Sequence, residues 1–463
     1  MEGLRRFLRS FAGRLLLIAL AGLAVRVGFT VVARADQPLK LSDSAYYHYQ
    51  GELLADGEGF PEPFLARREP QSIEAPGGAH PPLYSLYLAF WSVQDFNSPL
   101  AHRLASCLVG AGAVAVIGLT ARRIAGNRAG LLAAALAAVY GNLWINDAML
   151  AAESLFALTV AWTLYATYTL WKEPTGWHAI LFGVATAAAA LTRAEAILYF
   201  PLLLIPVALS RRALPMRKRF DLVVIGGVVG ALLMGPWVLY NLSRFEKPTY
   251  LSVGSGYTLM LGNCDETYDF STNRVGYWSF ACGQTEPPPG VYDQSVLEVE
   301  YRERGLEYIR EHLDEYPVIV GVRILRVFDL FRPWENIGLN WFIERRGLWP
   351  ARIATLMYYM LSALSLYALW VLRRRRVIIW PFVVIFAVIC FTMFVAFGIT
   401  RYRVPWDVAL VILGGVALDD LLKSGPRPHR RTVVSERGGA ESSEHGAPSG
   451  REAGIPPSSE GRP

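Results

Sequence analysis

Residues 15–32 read LLLIALAGLAVRVGFTVV, and after a short polar step residues 41–60 read LSDSAYYHYQGELLADGEGF. The first stretch is long and apolar enough to cross a bilayer as a helix, with Arg26 as its single charge. It decides the fold, because apolar runs of similar length recur along the chain. The second stretch places a carboxylate, Asp43, just beyond that membrane anchor. Ser44 to Ala55 reads as a short helix closed by Gly57 and Gly59. Tyr46, Tyr47 and Gln50 fall three, four and seven positions after Asp43, so an aromatic and amide face lies beside the acid. Two readings of Asp43 stand side by side. It is a helix N-cap, for which Asp is favoured, or a general base acting on a hydroxyl near a membrane surface, walled by the tyrosines.

Composition points to many spans. Of 463 residues 53% are hydrophobic, 12% aromatic and only 18% charged, and the mean hydropathy is +0.29. A soluble domain carries about a quarter charged residues. The chain therefore reads as an all-α polytopic membrane protein. Its net charge of +6 does not imply a nucleic-acid partner, because the basic residues gather in short gaps between apolar runs. That is the positive-inside pattern, which orients helices. Four cysteines are too few for a disulfide scaffold. Arg5, Arg6 and the sequence Ala33-Arg34-Ala35 imitate a secretory signal with its cleavage site. The apolar run is longer than a signal core, and it reads as a retained first helix.

About ten spans are expected, near 14–33, 101–121, 128–145, 153–171, 177–193, 196–210, 222–241, 350–372, 377–398 and 404–422. With the N-terminus in the cytoplasm, the basic gaps are all cytoplasmic: Arg122-Arg123 with Arg128, Lys172, the RRALPMRKR run at 211–219, and Arg373 to Arg376. Two polar insertions, 34–100 and 242–349, then both fall outside. Residues 1–422 form the transmembrane domain. The tail at 423–463, rich in Pro, Gly, Ser, Arg and Glu, buries too little to offset its ordering entropy and is expected to be a disordered cytoplasmic tail. Cys264 and Cys282 flank a Tyr/Trp/Asn-rich segment of the second insertion, where a disulfide would contribute about 3 kcal/mol. Cys107 and Cys390 lie in apolar spans and read as packing residues. Residues 298–329 mix charges with an apolar stripe and read as helices at the outer interface.

Polar residues gather at that same outer boundary. His80 precedes Pro81 and Pro82, which stiffen the entry to an apolar helix and hold it at membrane level; it either anchors there or meets a phosphate or proton. Glu153 begins the fourth span with apolar neighbours on both sides, which is costly unless it is paired or functional. It can position an acceptor, assist Asp43 or hold a divalent cation. Asp147, just before it, reads as an ordinary surface acid. Arg193 and Glu195 sit in the hairpin after the fifth span, and Arg401 and Arg403 open the last one. Arginines here oppose the positive-inside trend, and a guanidinium's planar fork suits phosphate. Arg103 and Arg26 are weaker candidates for the same cluster. Snorkelling to lipid headgroups accounts for any one of them, though not for their convergence on the face that carries both acids.

Taken in order, these features resemble the GT-C membrane glycosyltransferases over about residues 10–422. They are an acid after the first span, an aromatic helix ending in Gly-x-Gly-Phe, Pro-Pro-Leu before the second span and an acid opening the fourth. Leu-Thr-Arg before the sixth and Arg-Tyr-Arg-x-Pro near the end complete the set. The likeness is greatest to the bacterial branch that includes protein O-mannosyltransferases and the lipid A aminoarabinose transferase. It implies a GT-C-like helical bundle. It also implies an inverting hexosyl- or pentosyltransferase of the plasma membrane, moving a sugar from a polyprenyl-phosphate carrier to a protein, lipid or glycan acceptor on the extracytoplasmic side. By the resemblance Asp43 is the catalytic base and Glu153 the second acid. His80, Arg193 and Arg401 or Arg403 bind the donor phosphate. His80 stands where some relatives carry Lys, which puts phosphate binding there in doubt. No Asp-x-Asp follows the first span, so metal dependence is unsupported. A transporter for a lipid or small solute, or a transferase using another phospholipid donor, would share many of these features.

Overall fold

Where water is excluded, backbone N–H and C=O groups must be satisfied within the segment, so long apolar runs become helices. The computed structural model describes residues 2–39, 42–68, 75–283, 293–344 and 346–424. Among them the chain is helical throughout, with an isolated bridge between Pro61 and Pro76 as its only β-pairing. Helix α1 (Glu2–Arg9) leads into α2 (Phe11–Arg34), whose N-cap Ser10 accepts from the Gly13 N–H. The polar segment that follows holds α3 (Asp43–Ala55), α4 (Pro63–Arg68) and α5 (Leu83–Ser92). Then come α6 (Pro99–Ala125), α7 (Asn127–Val139), α8 (Gly141–Met149), α9 (Glu153–Lys172) and α10 (Gly176–Ala190). Helix α6 is the hub of this group, packed on α2, α7, α8 and α9.

Irregular helical turns over 194–204 lead to α11 (Ile205–Ser210) and α12 (Met216–Arg244), which packs on α10. The second polar segment holds α13 (Ser255–Leu261), α14 (Asp265–Tyr268), α15 (Gln294–Glu311), α16 (Tyr316–Val327) and α17 (Pro333–Glu344). Cys264, at the N-cap of α14, is disulfide-bonded to Cys282. Helices α18 (Leu348–Arg374), α19 (Trp380–Thr392) and α20 (Val404–Ser424) complete the chain. The expected tail, from 425 onward, lies outside the described residues.

Among the described residues four helices, α2, α6, α12 and α18, are long and apolar enough to cross a membrane. Helices α7 and α8 pass the same test as a pair bent by 49°. The straight span expected at 128–145 is thus broken at Tyr140, whose backbone is extended. The break lets α8 press on α18: a Cβ on Gly141 would come within 2.7 Å of Ala354 Cβ. The region expected as a span at 196–210 starts with 3-10 and π turns around Pro201 before it becomes α-helical. Leu232 and Leu239 on α12, and Met360 and Leu366 on α18, stay exposed, as side chains facing lipid do.

The helix ends differ in charge. At one end Arg123 meets Glu173, Arg128 meets Asp419 at 2.6 Å, and Arg375 meets Asp420, which ties the end of α6 to that of α9, and the start of α7 and the end of α18 to the end of α20. At the other end lie the C-terminus of α2 and the N-termini of α9, α18 and α20. Between the two, Arg26 on α2 and Asp147 on α8 form an ion pair of 2.7 Å with both side chains 1% exposed. Gly110 on α6 makes room for it, since a Cβ there would fall 2.1 Å from Asp147 Oδ2. Arg26 also donates to the carbonyls of Gly22, Ala137 and Ala138. Asp147 is therefore no surface acid, and Arg26 belongs to the bundle interior. Breaking such a pair strands a charge in a medium that cannot solvate it. Asp147→Leu is expected to lower stability by about 3–5 kcal/mol. The double variant Arg26→Met/Asp147→Leu is expected to regain most of it, as read by thermal unfolding in detergent.

Candidate active site

Helix α3 carries Asp43 in its first turn, with Ser42 at the N-cap position. The helix lies close on α5 because Gly51 has no side chain; a Cβ there would meet Leu88 at 3.0 Å. That approach brings Tyr47 edge-on to Tyr84, with ring centroids 4.9 Å apart, and stacks it on His80 at 4.7 Å. Tyr46 meets the same imidazole edge-on at 5.0 Å. His80, held between two aromatic rings just before Pro81, puts Nε2 3.5 Å from Asp43 Oδ1. Both tyrosines are buried. What they touch is His80, so they orient the imidazole and present little surface to a ligand.

Asp43's other oxygen accepts from Arg401 Nη1 at 2.6 Å. Burial works to raise the Asp43 carboxyl, but the charges of Arg401 and His80 and their hydrogen bonds outweigh it and hold it well below the usual carboxylate range. Arg401 belongs to the 3-10 turn Thr400–Arg403 that opens α20. Its Nε lies 3.4 Å from Glu344 Oε1 and 3.9 Å from Glu153 Oε1. Glu153 stands in the first turn of α9, where the helix dipole favours an anion. Leu150, in a left-handed conformation (φ 59°), turns the chain from α8 into α9 and sets that position. Arg193 Nη1 donates to Glu153 at 2.9 Å, its Nε donates to Glu195 at 2.8 Å, and its guanidinium sits 5.0 Å from the Tyr402 ring centre.

Asp43, Arg401, Glu153, Arg193 and Glu195 thus form one chain of alternating charge with His80 at its end. Asp43 is 35% exposed, His80 24%, Arg401 21% and Arg193 17%, so solvent and a ligand can reach the chain from outside. Asp43 does not serve as a cap: its oxygens are committed to His80 and Arg401.

Arg403 is not part of this cluster. Its side chain is fully buried, 2.9 Å from Asp329 Oδ2 and 3.3 Å from Asp407 Oδ1, and stacked over Tyr358. One turn of 3-10 helix separates Arg401 from Arg403, and the two point opposite ways, one to the open end and one into the bundle. Arg103 is occupied too, donating to the carbonyls of Arg34 at 2.6 Å and Gln37 at 3.0 Å, which fixes the chain as it leaves α2.

Sequence reasoning missed Glu344, the last residue of α17. Its Oε2 accepts from Arg346 Nε at 2.8 Å, and Arg346 Nη2 donates to Asn146 Oδ1 at 3.0 Å. The signal was present in the charged run GluArgArg at 344–346, directly before the Leu348 span. Among the described residues no group of three or more His, Cys, Asp or Glu side chains could hold a metal ion. The acids at this end each face a guanidinium.

Residues 79–240 match the family model for dolichyl-phosphate-mannose-protein mannosyltransferases, a stretch that holds His80, Glu153 and Arg193. No curated protein matches the chain by sequence. Among solved structures, the archaeal oligosaccharyltransferase AglB from Archaeoglobus fulgidus, in complex with an inhibitory peptide and a dolichol-phosphate, is 14% identical. It matches with a TM-score of 0.51 over 89% of this chain and 50% of its own. The oligosaccharyltransferase of the same organism in complex with Zn and sulfate is 14% identical, with a TM-score of 0.50 over 89% and 49%. ArnT from Cupriavidus metallidurans bound to undecaprenyl phosphate is 15% identical, with a TM-score of 0.41 over 87% and 77%. The chain spans about half the length of the archaeal structures it matches. The motif order, the family model over 79–240 and the shared helical architecture agree: this chain resembles the GT-C membrane glycosyltransferases.

Proposed function

We propose that the chain is an inverting glycosyltransferase that moves a sugar from a polyprenyl-phosphate carrier to an acceptor hydroxyl. The observation that carries this reading is the contact of Asp43 with Arg401 at an accessible end of a membrane bundle. In the reaction the acceptor oxygen bonds to the anomeric carbon, the bond from that carbon to the phosphate oxygen breaks, and the acceptor proton passes to Asp43. The polyprenyl phosphate leaves with a second negative charge. Arg401, Arg193 and His80 are placed to meet that charge, and preorganised cations aimed at developing charge are worth most where water is sparse. Glu153 holds Arg193 and lies beside Arg401, which fixes the direction in which both guanidiniums point.

The charge difference between the two helix ends supports an orientation. Arg122, Arg123, Lys172 and Arg373 to Arg376 mark the cytoplasmic end, and the cluster around Asp43 faces the outside of the plasma membrane. About ten crossings are then required, with α9, α10, α19 and α20 among the shorter or less apolar ones. The segments 34–100 and 242–349 become outer layers over the site. On this reading the occupant is a lipid-linked sugar, because the cluster is partly exposed and holds guanidiniums suited to phosphate.

Asp43→Asn is expected to lower transfer from a labelled polyprenyl-phosphate sugar by about 10²- to 10⁴-fold, the size of a lost general base, in protein that still folds. Near-normal turnover in that variant would remove Asp43 from the mechanism. The depressed Asp43 carboxyl carries a pH signature as well. A group whose folded pKa lies below its unfolded one adds stability that is complete above the unfolded value, about 3.9 for Asp, and is lost as pH falls through the folded value. The melting-temperature difference between wild type and Asp43→Asn is therefore expected not to narrow from about pH 8 to pH 5. A difference that narrows already near pH 6 would contradict the Arg401 pairing.

A further inference from the structure

We infer that Glu344 is a stand-in anion: it covers the Nε edge of Arg401 until the donor's phosphate displaces it, and Arg346 keeps the released carboxylate. This deepens the donor reading above and rests on it.

Arg401 has three carboxylates within reach and bonds well to one. Nη1 holds Asp43 at 2.6 Å, whereas Nε lies 3.4 Å from Glu344 and 3.9 Å from Glu153. That Nε is buried, yet it makes no hydrogen bond. A buried, charged N–H facing two carboxylates and bonded to neither is neutralised but unsatisfied. An oxygen brought closer to that edge, as a phosphate would bring, supplies what is missing.

The three carboxylates are not equally free to yield. Asp43 is held by His80 and Arg401 together. Glu153 is 3% exposed, bonded to Arg193 at 2.9 Å and favoured where it stands by the N-terminus of α9. Glu344 is the exception. It ends α17, where the carbonyl end of the helix repels a carboxylate. Its stronger contact is the 2.8 Å bond to Arg346, which is itself 5% exposed and anchored to Asn146. Releasing Arg401 thus leaves Glu344 partnered. A phosphate meeting Arg401 Nε with Glu344 still in place would set two anions against one N–H edge, and like charges this close oppose one another.

The test is a titration of undecaprenyl phosphate into the purified full chain in detergent, followed by intrinsic tryptophan fluorescence. Glu344→Gln is expected to lower Kd about three- to tenfold, and Arg346→Gln to raise it by a similar factor, because Glu344 then settles on Arg401. A merely structural Glu344 would move both variants the same way. Unchanged or weaker binding in Glu344→Gln overturns the inference. Should that variant fail to fold, Arg346→Gln decides, and an unchanged or lower Kd there overturns it. Arg401→Ala separates the two readings. If wild type binds, Arg401→Ala does not and Glu344→Gln gains nothing, only the stand-in role falls. If wild type binds no better than Arg401→Ala, the donor reading falls and takes this inference with it.

Discussion

A guanidinium withdrawn from water needs a counter-charge or a set of acceptors close by. Arg103 and Arg323 find carbonyl and amide oxygens, whereas the ion-paired arginines meet the need in two ways. In the interior the pairs are sealed: Arg26 with Asp147, and Arg403 with Asp329 and Asp407, all at 0–1% side-chain exposure. At the bundle end the pairs are open, with Asp43 and Arg401 35% and 21% exposed. The chemistry of the residues is the same in both places. Exposure separates a lock from a site. The sealed pairs cost desolvation that only their own partners offset, so they fix how α2, α8 and α20 sit against their neighbours. The open ones are within reach of solvent.

This also explains what the sequence could and could not reveal. Apolar runs announced the helices, and helix boundaries at α2, α12 and α18 fall within a few residues of their expected spans. The break at Tyr140 was invisible, because it follows from Gly141 meeting Ala354, a contact far apart in the chain. Asp43, Glu153, Arg193 and Arg401 were legible as charges placed at apolar helix ends, where a charge needs a reason. Arg401 and Arg403 could not be told apart: they share a motif, and only the turn that opens α20 sends one outward and the other inward. Asp147 looked like a surface acid because its partner lies more than a hundred residues away, on α2. Glu344 was passed over since it lies in a segment read as an interfacial insertion, and its role depends on where α17 ends against α20.

The placement of Arg401 also resolves a difficulty in the chemistry. A general base works best when its pKa lies near the working pH, and a carboxylate held well below the usual range by a guanidinium is a weak one. In the ligand-free cluster Arg401 makes its best hydrogen bond to Asp43. Under the proposed function the donor's phosphate competes for that same guanidinium. Every increment of charge that Arg401 gives to the phosphate is withdrawn from Asp43, so the carboxylate becomes more basic as the leaving group is bound. Under that proposal one cation, shared between a base and a leaving group, would hold Asp43 by Nη1 and weaken its grip as the phosphate draws on the Nε edge. A separate arginine for each role would leave the base either always weak or, lacking a partner, costly to keep ionised at a buried helix end. Under that proposal Arg401, 2.6 Å from Asp43 and 3.4 Å from Glu344, would couple the two ends of the reaction, the proton leaving the acceptor and the charge arriving on the phosphate.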